Sequence, residues 1–107
     1  MTKTKSQIVF SIFQLVSEVT EIDSNIILSK SRTAEVVDAR YLLVHLLHKQ
    51  GFYLSSIAKI MGLSRRAVEK IFAGFEDRKA SRGRALFGRL VDIAEYRLRK
   101  SCEQSAE

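Results

Sequence analysis

The sequence predicts an all-α fold of five to six helices, and three observations carry that expectation. None of the 107 residues is proline and only five are glycine, while 46% are hydrophobic and 28% charged. That composition suits a well-packed helical protein better than a disordered chain or one built of strands and turns. Apolar residues recur at spacings of three and four in several separate stretches, which is the period of a helix and not of a strand. Capping residues, namely serine, threonine or aspartate before such stretches and glycine after them, stand where the helices would begin and end. The length fits one domain, residues 1–107, with one hydrophobic core and order expected from about residue 8 to about residue 100.

Taken in order, Ile8, Ile12, Leu15, Val16 and Val19 predict a first helix to about Thr20, with Ser6 as its N-cap. Asp23 and Ser24 cap a short helical turn through Ile26, Ile27 and Leu28. Ser29-Lys30-Ser31-Arg32 then reads as a polar, basic loop. Thr33 precedes a long helix to about Gln50 whose apolar face takes Val37, Tyr41, Val44 and Leu47, ended by Gly51. Ser55 is placed to cap a short helix over Ile57 to Met61. Gly62 supplies a positive φ at the turn, and Ser64 caps the next helix, which runs to Gly74 or beyond. Residues 76–82, EDRKASR, are either a solvated extension of that helix or a loop. From about Gly83, Leu86, Phe87, Leu90, Val91, Ala94 and Leu98 predict a final amphipathic helix to Lys100.

Eighteen basic residues against twelve acidic ones give a net charge of +6, which suits an anionic partner such as nucleic acid or a membrane surface. The excess is unevenly placed. Residues 1–31 are neutral, 32–63 carry +2, 64–100 carry +6 and 101–107 carry −2. The single cysteine, Cys102, has no intramolecular disulfide partner, so a reducing, cytoplasmic location is expected. The basic start MTKTKSQIVF leads into an apolar stretch broken by Ser11, Gln14, Ser17 and Glu18, with no small-residue cleavage site after it, so no signal peptide is expected. No apolar run approaches the roughly 18 residues of a membrane span.

The stretch from Leu54 to about Gly74 reads as a helix-turn-helix. Small Ala58 stands where the helices cross and Gly62 at the turn, with Leu54, Ile57, Met61, Leu63, Val68 and Ile71 directed to the core. Those assignments leave Arg65, Arg66, Glu69 and Lys70 on the free face of the second helix, near the end that would enter a major groove. The alternative is a helix pair that only packs.

The residues upstream extend the pattern. "LVSEVTEIDSNIILSKSRTAEVVDARYLLVHLLHKQGFYLSSIAKIMGLSRRAVEKI" resembles the C-terminal duplex-DNA-binding domain of the bacterial replication initiator DnaA, which has a Trp-repressor-like helix-turn-helix. That family has an initial helix, a short second helix, a Ser-Lys-x-Arg loop, a long helix with an arginine near its start, and then the helix-turn-helix. The similarity covers about residues 8–75. The initiator's nucleotide-binding portion has no counterpart here, since no GxxxxGK[ST] occurs, so no nucleotide and no cofactor are expected.

The resemblance implies double-stranded DNA as partner and assigns positions. Arg32, in the loop with Lys30, falls on the arginine that enters the minor groove; otherwise it is a solvated loop residue. A guanidinium suits a narrow A·T-rich groove because negative potential concentrates there. Arg40 falls on the arginine that lies against DNA at the start of the long helix; otherwise Asp38 or Glu35 is its ion-pair partner. His48, with Lys49, falls on the DNA-facing end of that helix, with a solvated helix end as the alternative. The departure lies at the base-reading positions. The family carries Asp-His-Thr there, whereas this sequence has Ser64-Arg65-Arg66-Ala67 with one residue fewer after Gly62. Arg65 and Arg66 either bond guanine bidentately or hold phosphates, while Ser64 caps the helix beside a phosphate.

Other chemistries find less in the sequence. His45 and His48, three residues apart, lack further ligands for a metal. The basic run Arg78, Lys79, Arg82, Arg84 and Arg89 either extends a phosphate-binding surface or solvates a connection, with Glu76 and Asp77 beside it to neutralise part of it. Phe72, Phe75, Phe87 and Tyr96 lie at helical spacing and are expected in the core, with base stacking as the alternative. No nucleophile–base set or paired carboxylates point to an enzyme. The competing function is a protein-interaction module that docks to a replication or transcription protein, motivated by Val9, Phe10 and Phe13 outside the main stripe of the first helix.

Overall fold

Among the described residues the apolar periodicity is realised as six α-helices: α1 (Lys5–Thr20), α2 (Ser24–Ile27), α3 (Ala34–Lys49), α4 (Leu54–Met61), α5 (Arg65–Ala80) and α6 (Ala85–Ser105). A 3-10 turn over Arg82–Arg84 joins the last two. The structure, a computed structural model, describes residues 4–105, with side chains to residue 101. The Cys102 side chain lies outside the described residues.

Local hydrogen bonds explain most helix ends. α1 begins one residue before the expected cap Ser6, because Thr4 and Gln7 form a reciprocal pair: the Gln7 N–H donates to Thr4 Oγ1 at 3.2 Å and the Thr4 N–H to Gln7 Oε1 at 2.9 Å. Its C-cap, Glu21, adopts the left-handed φ of 60°. Asp23 caps α2 as its sequence position suggests, accepting the Asn25 N–H at 3.0 Å. α4 starts at Leu54, ahead of the expected cap Ser55, because Tyr53 is already extended and its carbonyl accepts the Ile57 N–H. α3 and α4 end alike. Gly51 and Gly62 take φ of 95° and 68°, and the residue after each donates back into the helix, Phe52 to the Leu47 carbonyl and Leu63 to the Ala58 carbonyl.

Two expected faces are redrawn by packing. α3 buries Val36, Ala39, Leu42, Leu43, Val44, Leu46 and Leu47, so its second half is apolar nearly all round, while Val37 and Tyr41 are only half-buried. The reason is its place. Among the described residues α3 alone packs against all five other helices, and a central helix needs no polar face. On α6 the stripe is Phe87, Val91 and Ala94, whereas Leu86 is 61% exposed. Residues 76–80 continue α5 instead of forming a loop, and Arg78 and Lys79 are half-buried. The radius of gyration, 13.3 Å, matches the ~13 Å of a folded chain of about 100 residues.

Candidate nucleic-acid interface

The helix-turn-helix pair is built from the turn outward. Gly62 reverses the chain, Leu63 turns half inward, and Ser64 is extended with its hydroxyl accepting the Ala67 N–H at 3.1 Å. Ile57, Ala58, Met61 and Val68 are buried, and Leu54, Leu63 and Ile71 pack half-buried against them. With those residues inward, Arg65, Arg66, Glu69 and Lys70 are left on the exposed face of α5. Arg65 Nε donates to Glu69 Oε1 at 3.0 Å in an exposed pair. The first turn of α5 holds two arginines and no acidic residue, an arrangement that the positive end of the helix dipole disfavours.

The basic loop between α2 and α3 is organised by Arg40. Its Nε donates to the Ile27 carbonyl at 2.7 Å and its Nη2 to the Ser29 carbonyl, so it neither pairs with Asp38 or Glu35 nor stands free. Ser29 Oγ donates to the Ile26 carbonyl at 2.6 Å and accepts the Ser31 N–H at 3.2 Å. Lys30 and Arg32 project from this braced loop into solvent. Partial burial, and then the charge of Arg32 nearby, hold Arg40 below the ordinary guanidinium range. Arg40 thus acts on the loop that carries the exposed cations.

The end of α3 is engaged within the protein as well. His48 is exposed and tilts against Phe72, ring centres 4.5 Å apart. Lys49 pairs with Glu95 of α6. His45 stacks on Phe75 at 4.0 Å and nearly parallel, with its Nε2 3.5 Å from Glu95 Oε2, a distance for charge attraction and too long for a good hydrogen bond. Burial lowers the His45 pKa, and Glu95 offsets this only in part. Burial pushes Glu95 up, but the hydrogen bond and charge of Lys49, with His45, outweigh it and hold the carboxyl below its usual range. Among the described residues no three His, Cys, Asp or Glu side chains are placed to hold a metal ion. Nor is any helix there long and apolar enough to cross a membrane.

One charge cluster escaped the sequence reading. Asp38, 3% exposed, accepts from Arg78 Nε at 2.6 Å and pairs with Arg84 Nη2. Arg78 also donates to the Ala34 carbonyl and lies 4.8 Å from the centre of the Tyr41 ring. Two members of the dense basic run are therefore neutralised from α3, with no bond to the adjacent Glu76 or Asp77. The available signal was the phase of Asp38, four residues before Leu42 and eight before Leu46 on the helix face that became the core. The expected aromatic core is divided: Phe75 and Phe87 are buried, while Phe72 and Tyr96 are 40% and 53% exposed.

No known protein family, no curated protein and no solved structure matches this chain.

Proposed function

We propose that the protein binds double-stranded DNA in a sequence-directed way, as a regulator of replication or transcription in the bacterial cytoplasm. α5 enters the major groove and the Lys30–Arg32 loop reaches the minor groove beside it. The observation that carries this reading is the exposed first turn of α5. Arg65 and Arg66 sit at the positive end of a capped 16-residue helix with no acidic residue in that turn, and Lys70 follows on the same exposed side. A phosphate backbone supplies an anion at that end, where Glu69 engages Arg65 but not Arg66. The loop adds support, since Arg40 braces it from within and leaves Arg32 outward. The order of elements resembles the initiator's DNA-binding domain, and the changed residues at the start of α5 imply a site other than that family's. No catalytic step, nucleotide or cofactor is part of the reading.

The decisive measurement is selection of bound duplexes from a randomised pool at ~150 mM salt. Enrichment of a common motif, with affinity that falls steeply as salt rises, is the expected result. Undetectable binding to the pool defeats the reading.

A further inference from the structure

α1 packs on α3 and α6, and α4 packs on α3 and α5, but among the described residues α1 and α4 do not pack on each other. The space between them is an open cleft of about 1020 Å³ whose apolar wall is Val9, Phe10 and Phe13 from α1, with Phe52 and Ile60 from the α4 side. Phe10 is 68% exposed, although it stands beside the half-buried Phe13 and Val9. A contiguous aromatic face of this kind is a place where a partner removes apolar surface from water.

The chemistry of α1 selects the partner. Its cleft-lining residues pair with one another when a second α1 is laid antiparallel, level between Ser11 and Ile12. In that register Phe10 faces Phe13 of the copy, and Val9 faces Gln14. Ser6 faces Ser17, small at both ends, so the helices can close on the central aromatic pairs. At the rim Lys5 faces Glu18. Any helix face can be laid on itself in this way; this one brings unlike charges together at both ends and aromatic rings together in the middle. Ser6, Phe10, Phe13 and Ser17 also follow the four-three-four spacing of a helix-pairing seam. Among the described residues Glu18 makes only a long contact of 3.7 Å with Arg97, both side chains more than half exposed, so it can accept a lysine from another molecule.

We infer that the protein forms a two-fold dimer in which α1 of each copy lies antiparallel in the α1–α4 cleft of the other. A two-fold interface requires such self-complementarity, because residue i meets j and j meets i. The inference uses a face apart from the exposed side of α5 and stands whether or not the protein binds DNA.

The test is the molar mass of the full chain by sedimentation equilibrium between ~1 and ~100 µM, the range in which a modest interface of this kind is populated. The wild type is expected to pass from monomer to dimer. Phe10→Glu places a charge at the centre of the seam and is expected to weaken association more than ~10-fold. Lys5→Glu is expected to weaken it about 10-fold by setting like charges against Glu18, and the double exchange Lys5→Glu/Glu18→Lys to restore it. Both exchanges suit the dipole of α1, with an acid near its start and a base near its end, so a lost dimer does not reflect a lost fold; circular dichroism confirms that separately. A wild type that remains monomeric across the range overturns the inference, whatever other protein the cleft accepts. So does a dimer that persists in Phe10→Glu, or one that the double exchange fails to restore.

Discussion

Asp38 and Arg78 stand 40 residues apart in the chain, and their side chains meet at 2.6 Å beneath the surface, where α3 and the end of α5 converge. Arg84 completes the cluster from the 3-10 turn. A carboxylate 3% exposed needs such partners, since burying an unpaired charge is costly. The pairing ties the end of α5 and the turn that leads into α6 to α3.

Removing the acid should therefore destabilise the protein by more than a surface substitution does. Asp38→Ala strands two guanidinium groups that keep partial contact with water, so the expected loss is about 3 kcal/mol, the lower end for a broken buried pair. Urea unfolding reads it as a lower midpoint at unchanged slope. A loss under about 1 kcal/mol would show that the cluster is solvated in solution.

Acid should weaken the fold in two steps. His45 is held below the ordinary imidazole range mainly by burial, so the unfolded chain binds a proton there that the folded one resists. Stability falls as pH drops through about 6.5, the unfolded value. Glu95, held low by Lys49 against the effect of burial, contributes stability above the ordinary carboxyl range and loses it only as pH falls through its own lower folded value. The melting temperature should decline between about pH 7 and 5, and His45→Gln should flatten that decline even if it melts lower throughout. An unchanged slope in the variant would assign the dependence to other groups.

Arg40 and Arg32 should separate cleanly. Arg40→Ala unties the Ile27 and Ser29 carbonyls and should cost about 1–2 kcal/mol of stability, with Arg40→Lys unable to restore both bonds. Arg32→Ala should leave the melting temperature within error while weakening duplex binding, more at A·T-flanked than at G·C-flanked sites. Equal loss at both flanks would remove the minor groove from the reading.

The α4–α5 turn offers a test of backbone against side chain. A Cβ at Gly62 would meet nothing within 4 Å, so Gly62→Ala is penalised only by its φ of 68°, by about 1 kcal/mol. Ser64→Ala removes the acceptor for the Ala67 N–H and should cost about 1 kcal/mol, with Ser64→Gly milder. Chemical denaturation of the three variants gives the order. On the exposed face, Arg66→Ala should reduce the salt slope of DNA binding by about 0.9, the change for one lost phosphate contact.

The sequence by itself determined the helical class, the order of the six helices, and the punctuation that needs only near neighbours. Asp23 and Ser64 bond to amides two and three residues on, and Gly51 and Gly62 adopt a φ that side chains disfavour, so each declares itself locally. Even there Thr4 displaced Ser6, because a returning bond from Gln7 outweighs a lone hydroxyl. Tertiary structure alone decided which charges remain free. Arg78 and Arg84 are spent on Asp38, Lys49 on Glu95 and Arg40 on two carbonyls, while Arg32, Arg66 and Lys70 stay in solvent. In the sequence these cations look alike. Their partners lie 11 to 46 residues away, and only the packing of helices around α3, which buries one side of each element, brings a cation to a carboxylate or leaves it facing water.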